Sequence, residues 1–353
     1  MQKGLSGFYG TSGFAIETED SFRLQSCLSP VWDTALAMLA LQEAGLPEDH
    51  PATVKAGNWL LDEQIFTGGD WQVRCSVRPG GWAFEFANDG YPDTDDTAVV
   101  MMALLGTRLD PQRKQHALRR GAKWLVAMQS GNGGWGAFDR NNVQTWTRHI
   151  PFCDFGEVID PPSADVSAHV IECLGRIGHR RGDRVLNRAL KYLHREQEPD
   201  GAWYGRWGVN LTYGTGAALM ALDAVGESKD AEPVRRAAQW LLAHQNEDGG
   251  WGERIEGYKD PTWRGKGPST PSQTAWALLG LIAAGLIDHP STHRGIAYLI
   301  GTQQGSGGWD EPHFTGAGFP IDFMINYHLY RDVFPLMALG RYRRTLQEAP
   351  CES

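Results

Sequence analysis

One pattern recurs five times along the chain and constrains its fold more than any other feature. Each copy reads aromatic residue, leucine, several residues, glutamine and then a glycine-containing turn that ends in tryptophan, as in AAQWLLAHQNEDGGW (237–251). A self-similar pattern with a period of roughly 50 to 70 residues is typical of a repeated supersecondary unit. The glutamines are Gln64, Gln129, Gln197, Gln245 and Gln303, and the tryptophans that we assign to them are Trp71, Trp135, Trp203, Trp251 and Trp309.

The repeated unit is predicted to be a pair of helices. Stretches such as TYGTGAALMALDAVG (212–226) are apolar on nearly all sides and end in glycine, which predicts buried helices. More amphipathic helices such as VRRAAQWLLAHQ (234–245) follow them. We expect each Gln amide to bond free carbonyls at the end of its own helix, and each Trp to stack on the next unit. The pairs are predicted near 31–64, 93–129, 163–197, 212–245 and 270–303, with a last helical region over about 323–347.

Alternating inner and outer helices predict an all-α ring, the α/α toroid of six helix pairs. Five pairs and one further helix leave this ring about one helix short, so we expect an element to be missing on the N-terminal side. The predicted organisation is a lead-in over 1–30, an α/α barrel over 31–347 and a tail over 348–353. The linkers between pairs should gather at the ends of the ring and line a cavity.

Composition and charge argue against several classes of protein. The net charge is −9 and no long run of Lys or Arg occurs, which disfavours nucleic-acid binding. Five scattered cysteines without a CxxC pair disfavour a disulfide framework and structural zinc. Either of the spacings His149–Cys153 and His169–Cys173 would suit a metal on a helix face, but no third and fourth ligand with zinc-like spacing follows. The N-terminus lacks an apolar signal-peptide core, and no apolar run is long enough to span a bilayer.

The segment YPDTDDTA (91–98) places Asp93, Asp95 and Asp96 directly before an apolar helix. One or two carboxylates would cap the helix and complement its dipole, but three so close together repel one another. A calcium loop starting at Asp93 fails, because its sixth and twelfth positions are neither glycine nor acidic. Two interpretations stay open. One is a glycosidase with paired carboxylates. The other is a strong Brønsted acid, in which coupled carboxylates share protons and aromatic faces stabilise a cation.

These motifs resemble those of bacterial squalene–hopene cyclases, which are class II triterpene cyclases. YPDTDDTA matches the family's DxDD motif, and the Gln-to-Trp repeats match its QW repeats. Segments such as LSPVWDTALA (28–37) and GAGFPIDF (316–323) follow in the family's order along essentially the whole chain. The resemblance implies that Asp95 is the proton donor, that Asp93 and Asp96 flank it, and that His169 of DVSAHV hydrogen-bonds the acid and raises its strength.

The resemblance also implies a lining of mainly aromatic side chains around the substrate. Asp165 would belong to this site or, alternatively, form an i,i+4 helix pair with His169. Phe138 stands where the family has tyrosine, and Phe152 and Cys153 match a segment that lines the substrate channel. The lining residues implied are Trp32, Phe84, Phe138, Asp165, Trp207, Tyr213, Phe319, Phe323, Tyr327 and Tyr330.

The implied reaction is protonation of squalene, ring closure, and termination as hopene or hopanol. No metal or organic cofactor is implied. The implied substrate is squalene or a similar polyprene. The resemblance also implies a monotopic protein on the cytoplasmic side of the cell membrane, with a second copy as its partner in a homodimer. Because family members carry a second barrel, it further implies an N-terminal barrel or a second polypeptide as a partner. No nucleic acid is expected. The alternatives are a class II cyclase of another polyprene, an inactive fragment or subunit that needs a second barrel, and, less favoured, a toroid glycosidase.

Overall fold

The computed structural model describes residues 15–17, 19, 22–24, 28–73, 75–86, 88–144, 146–147, 150, 159–319 and 322–348. These ranges contain eleven α-helices and two short antiparallel hairpins. The hairpins pair β1 (Ala15–Glu17) with β2 (Phe22–Leu24), and β3 (Gly316–Phe319) with β4 (Phe323–Ile325). The helices are α1 (Pro30–Glu43), α2 (Pro51–Asp62), α3 (Thr94–Leu105), α4 (Pro111–Met128), α5 (Ala164–Arg176), α6 (Arg184–Arg195), α7 (Leu211–Ala224), α8 (Glu232–Ala243), α9 (Pro271–Ala283), α10 (Pro290–Thr302) and α11 (Tyr330–Glu348).

The odd-numbered helices form a closed inner ring. Each packs on the next in the order α1, α3, α5, α7, α9 and α11, and α11 returns to pack on α1. Each even-numbered helix packs outside the inner helix of its own pair. The inner helix α9 is therefore covered on all sides, and every one of its residues is buried. This arrangement confirms the predicted α/α toroid and its five helix pairs.

The ring has two different ends, because each outer helix brings the chain back before the next inner helix starts. The inner helices begin at the end that carries the long linkers, which we call the linker face. They finish at the opposite end, where short turns lead to the outer helices, and we call this end the rear face. The aspartate cluster precedes α3 and therefore lies at the linker face.

One predicted helical region begins later than expected. Phe323–Ile325 form strand β4, and α11 starts only at Tyr330. Phe and Ile are good strand formers, and their backbone groups pair with the Gly-containing strand β3 rather than with a helix. The helix α11 is the sixth inner helix. The described residues contain no outer helix to pair with it, so the ring is one outer helix short, as predicted.

The repeated glutamine and tryptophan tie the units together with roles opposite to those predicted. Gln245 Nε2 donates to the carbonyl of Gly249 in its own turn and to that of Ser291 in the first turn of the next outer helix. The indole Nε1 of Trp203 instead donates to the carbonyl of Leu193 near the end of its own helix. The free carbonyls of a helix end are therefore satisfied by tryptophan, and the contact between units is made by glutamine. Gly249 has a φ of +90°, which explains the recurrent glycine.

In the first repeat the closing tryptophan is Trp82, and the assignment to Trp71 is wrong. The Trp82 indole donates to the carbonyl of Leu60 at 2.6 Å, as the other closing tryptophans do to their own helices. Gln64 likewise donates to the carbonyl of Gly80, two residues before Trp82. Trp71 lies in a short 3₁₀ turn of the lengthened linker. The letters GGDW before and at Trp71 imitate the closing motif, so the pattern alone chose the wrong residue.

No helix in the part of the chain that the structure describes is both long and apolar enough to cross a bilayer. Two cysteines, Cys75 and Cys173, fall within that part, and both are buried free thiols. His169 and Cys173, one of the two pairs considered above for a metal, lie on α5.

Candidate active site

Asp93 is the N-cap of α3 and accounts for one of the three clustered carboxylates. Its Oδ1 accepts hydrogen bonds from the backbone N–H groups of Asp95 at 2.6 Å and Asp96 at 3.1 Å. Its own N–H donates to the carbonyl of Trp82 at 2.7 Å, which anchors the start of the helix to the first repeat. One carboxylate is thus enough for capping. The side chains of Asp95 and Asp96 remain for another use.

Asp95 pairs with an imidazole from the neighbouring inner helix. Asp95 Oδ1 and His169 Nδ1 are 2.6 Å apart, and the two residues are only 7% and 8% exposed. Burial lowers the pKa of His169, but the charge and hydrogen bond of the Asp95 carboxylate outweigh it and raise the pKa to about 9. The imidazole is therefore cationic at neutral pH and donates a charge-assisted hydrogen bond to Asp95.

Asp96 is buried with one carboxyl oxygen unpaired. The residue is 2% exposed, and its Oδ1 has no hydrogen-bond partner among the described residues. Burial, and then the charges of Asp93 and Asp95, raise the pKa of Asp96 well above its usual range. Burial and the Asp95 charge raise the pKa of Asp93 in the same way. Since neighbouring carboxyl groups titrate as a set, the cluster holds protons at pH values where isolated carboxyl groups would be ionised.

Asp165 does not form the alternative i,i+4 pair with His169, because that imidazole is turned toward Asp95. Asp165 Oδ1 accepts from the Ser163 hydroxyl at 2.5 Å. Its Oδ2 accepts from the backbone N–H groups of Arg206 and Trp207, both at 2.8 Å. A buried carboxylate needs several such donors. In this arrangement Asp165 fixes the linker that carries Trp207.

A buried ion pair supports the same linker, and sequence reasoning missed it. Arg206 Nε donates to Asp160 Oδ1 at 2.5 Å, with side chains only 3% and 9% exposed. The Arg206 guanidinium also lies over the Trp207 ring, 4.9 Å from its centroid. Neither residue belongs to a motif with a recognisable spacing. Only the folded linkers bring them together, 46 positions apart in sequence.

Aromatic side chains from three inner helices meet around His169. The ring centroids of Trp32 and Tyr213 lie 6.3 Å and 5.9 Å from that of His169. Trp32 Nε1 donates to the Tyr330 hydroxyl at 2.9 Å. Tyr330 in turn stacks on Tyr327 with centroids 4.6 Å apart. Four residues predicted for the lining are therefore brought together next to the Asp95–His169 pair.

Sequence reasoning missed two further aromatic residues of this group, Trp276 on α9 and Phe334 on α11. Trp276 meets Tyr213 with centroids 4.7 Å apart, and Phe334 meets Tyr330 at 5.0 Å, both edge to face. Their positions on inner helices were the available signal, since an aromatic residue there must point to the ring axis or to a neighbouring helix.

The other predicted lining residues lie on the linkers. Phe138 and Trp207 meet edge to face with centroids 6.3 Å apart. Phe319 and Phe323 face each other across the β3–β4 hairpin, also at 6.3 Å. The hairpin is joined to the Trp207 linker, because the Ala317 N–H donates to the Trp207 carbonyl at 3.0 Å. Phe84 is half-buried in the linker before α3. Phe152 and Cys153 lie outside the described residues.

Two other inner helices have their N-terminal ends neutralised by glutamates from the linkers. Glu253 accepts from the N–H groups of Asn210 and Thr212 at the start of α7, and Glu311 accepts from the N–H of Ser272 at the start of α9. Sequence reasoning missed both, although each stands two residues after a closing tryptophan. Because a helix N-terminus carries partial positive charge, these carboxylates are held by the helices that they cap. At α3 the cap is Asp93.

The group formed by Asp93, Asp95, Asp96 and His169 can transfer a proton. It combines a carboxyl group, a cationic imidazole that stabilises the carboxylate left after proton loss, and a helix N-terminus that does the same. The adjoining aromatic faces stabilise positive charge by about 0.5 to 2 kcal/mol each. Such a site suits a reaction that begins with a strong acid and proceeds through a cation.

Comparison with known proteins agrees with this chemistry. Residues 28–344 match the family model for the squalene-hopene cyclase C-terminal domain. The squalene–hopene cyclase of Alicyclobacillus acidocaldarius is 54% identical over 97% of this chain and 55% of its own length. The enzyme of the same name from Bradyrhizobium diazoefficiens is 46% identical over 92% of this chain and 50% of its own. Dammaradiene synthase of Dryopteris crassirhizoma is 46% identical over 95% and 52%. The chain thus spans about half the length of these relatives.

Solved structures share the fold. The type II terpene cyclase MstE from Scytonema superposes with a TM-score of 0.60 at 17% identity, covering 94% of this chain and 92% of that one. The ent-copalyl diphosphate synthase from Streptomyces platensis gives a TM-score of 0.57 at 21% identity, covering 89% of this chain and 50% of that one. At these identities the likeness concerns the α/α barrel itself.

Proposed function

Because the chain belongs to the squalene–hopene cyclase family, we propose that it is the acid-bearing barrel of a class II terpene cyclase that converts squalene to hopene or hopanol. The observation that carries the proposal is the buried 2.6 Å contact between Asp95 Oδ1 and His169 Nδ1. A carboxyl group in that setting suits protonation of an alkene, which is a much weaker base than the substrates of ordinary general acids.

In the proposed first step, Asp95 is protonated on Oδ2, because Oδ1 accepts from His169, and it gives the Oδ2 proton to the terminal alkene. The π electrons of the alkene form the new C–H bond, and the O–H electron pair stays on Asp95 as a carboxylate. The His169 imidazolium and the N-terminus of α3 stabilise this carboxylate. Asp93 and Asp96 contribute as neighbouring carboxyl groups, because they titrate together with Asp95 as one set.

In the following steps each carbocation is attacked by the next double bond, and one ring closes at a time. The rings of Trp32, Tyr213, Tyr327 and Tyr330 lie beside the acid and are proposed to stabilise the first cations. Phe84, Phe138, Trp207, Phe319 and Phe323 are proposed to line the path of the later ones. The last cation loses a proton to give hopene or is captured by water to give hopanol.

We propose that a second barrel, on the same polypeptide or on another, completes the cavity. The incomplete outer ring supports this proposal. Gln245 bonds a carbonyl of the next outer helix, whereas the bond found for Gln303 Nε2 among the described residues is to Gly307 in its own turn. A helix beside α11 would offer Gln303 its second acceptor. The proposed limits of the barrel in this chain remain 31–347.

Attachment to the cytoplasmic side of the cell membrane is part of the proposal, because squalene dissolves in bilayers rather than in water. Large apolar side chains on the linkers offer surface for it, since Phe86, Tyr91 and Trp146 are 59%, 56% and 62% exposed. Sedimentation of the chain with lipid vesicles tests this part. Replacement of Phe86 and Trp146 by serine should then leave more protein in the supernatant.

A second candidate is a class II cyclase acting on another polyprene or forming another product. The observation in its favour is that dammaradiene synthase is as similar to this chain as the Bradyrhizobium squalene–hopene cyclase, at 46% identity. This candidate would use Asp95 as the acid, as the first one does. It would differ in which side chains line the cavity and therefore in the rings that the cation forms.

The experiment is incubation of the purified chain with squalene in detergent, alone and with a supplied N-terminal barrel, followed by gas chromatography and mass spectrometry. Hopene or hopanol is expected, and Asp95→Asn should abolish it. Asp183→Asn, which alters an exposed His–Asp pair, serves as the matched control. A different cyclic product favours the second candidate. Product made equally well by Asp95→Asn contradicts the assignment of the acid.

A further inference from the structure

The barrel contains an interior space behind His169, on the side away from the linker face. A cavity of about 40 Å³ is lined by His169, Trp32, Tyr213, Glu172, Met102 and Met220, among others. A water molecule needs about 10 to 15 Å³ of such space, so the cavity has room for about three or four. Polar partners are available in it, because Glu172 and Arg176 line it together with His169.

This interior cavity continues toward the rear face. A larger cavity of about 800 Å³ is lined by the last residues of inner helices and by the turns that follow them, such as Leu46, Gly106 and Ala224. It reaches solvent, since Lys229 on its wall has a 44% exposed side chain. Seven residues line both cavities, and we call the two together the axial passage. They are Leu39, Glu43, Met102, Glu172, Arg176, Met220 and Arg341.

The four charged side chains that line both cavities are paired with each other. Arg176 bonds Glu172 at 2.5 Å, and Arg341 bonds Glu43 at 2.6 Å. Glu172 and Glu43 are 5% and 6% exposed. Buried ion pairs of this kind need further polar partners, and water is the usual one. Leu39, Met102 and Met220 form the apolar part of the wall where the two cavities join.

We propose that the axial passage admits water to His169 from the rear face, so that the imidazole exchanges its proton with bulk solvent while the linker face stays dry. In each exchange the Nε2–H bond breaks, its electron pair stays on the ring, and the proton passes to a cavity water to form hydronium. The reverse step restores the imidazolium. The use of this route rests on the proposed function, because a cavity that holds carbocations must keep water away from the acid and from every cation before the last.

The groups that face His169 come from several elements. They are Asp95 from α3, Asp165, Glu172 and Arg176 from α5, Tyr213 from α7, Glu43 from α1 and Arg341 from α11. Asp95 accepts the hydrogen bond from Nδ1 of His169, and Glu172 lies one helical turn after His169, toward the rear face. Glu172 is therefore a positioning residue that favours the cationic imidazole from the water-filled side.

The test is exchange of the imidazole C2 hydrogen for deuterium, read by mass spectrometry of peptides from the whole chain, and it needs no substrate. Met220→Phe should slow exchange at His169 and Met220→Ala should speed it, with exposed His116 unchanged in both. Met38→Phe is the control for adding a ring at an inner-helix methionine, because Met38 is buried, whereas Met220 is half-buried, and Met38 lines neither cavity. If Met220→Phe fails to fold, Met220→Ala alone decides the question.

Exchange at His169 that is insensitive to Met220→Ala would overturn the proposal, because water would then arrive from the linker face or not at all. Glu172→Gln should also lower the pH midpoint of His169 exchange by about one pH unit, and an unchanged midpoint would contradict its positioning role. A chain that shows the expected exchange pattern but makes no terpene product, even with the supplied N-terminal barrel, would leave the axial passage standing and refute the proposed function.

Discussion

Replacement of Asp95 by Asn is expected to remove a pH dependence of stability that arises in the Asp95–His169 pair. The ordinary pKa of His169 is 6.5, and beside Asp95 in the folded chain it is about 9. Because the folded state binds this proton more tightly than the unfolded state, the stabilisation is fully present below about pH 6.5 and is lost as the pH rises through about 9. Each pKa unit corresponds to about 1.36 kcal/mol, so a rise of about 2.5 units adds about 3 kcal/mol to the free energy of unfolding at low pH.

In the Asp95→Asn variant, burial without a carboxylate partner favours the neutral imidazole, so this loss of stability should disappear. Urea unfolding followed by tryptophan fluorescence, from about pH 6 to about pH 9.5, measures the free energy of unfolding of both proteins. The control is Asp183→Asn, which removes an exposed carboxylate 2.9 Å from His179, where water screens the interaction. The wild-type free energy of unfolding should fall as the pH rises through about 9. The reasoning would be refuted if this fall persisted unchanged in Asp95→Asn, or if it disappeared equally in the control.

Three further predictions test the repeat and the acid cluster. Trp82→Phe should lower the free energy of unfolding by about 1 to 3 kcal/mol more than Trp71→Phe, because only the first change leaves a buried helix carbonyl without its donor. Equal losses in urea unfolding would contradict the assignment of Trp82 as the closing residue. Gln245→Ala should lower the melting temperature more than Gln303→Ala, since Gln245 bonds the next outer helix; calorimetry with the reverse order would count against the role of glutamine between units. Asp96→Asn should stabilise the fold at neutral pH. The wild-type carboxyl has a raised pKa, so the fold loses stability as the pH rises above the unfolded value of about 3.9, and the amide has no such loss. If the variant unfolded at a lower urea concentration than the wild type at pH 7, the buried Asp96 carboxyl group would not be destabilising the fold.

The components of the candidate site differ in how far the sequence could predict them. Asp93, Asp95 and Asp96 stand in one short motif, so their clustering follows from the chain itself. His169 lies 74 positions from Asp95, and the sequence left its partner open between Asp95 and Asp165. Helical spacing by itself favoured the local pair with Asp165, and the family resemblance favoured Asp95. The packing of α5 against α3 decided it, because Asp165 is occupied by backbone donors of a later linker.

The sequence by itself determined the order of the helices, the five helix pairs and the shortfall of one helix in the ring. These features depend on short-range patterns, since apolar periodicity and the Gln-to-Trp turn are written within one repeat. Only the tertiary structure decided that Trp82 closes the first repeat, that Phe323–Ile325 form a strand, and that Arg206 pairs with Asp160. Each of these depends on which buried polar group finds a partner once the ring closes, and residues far apart in the sequence compete for that role.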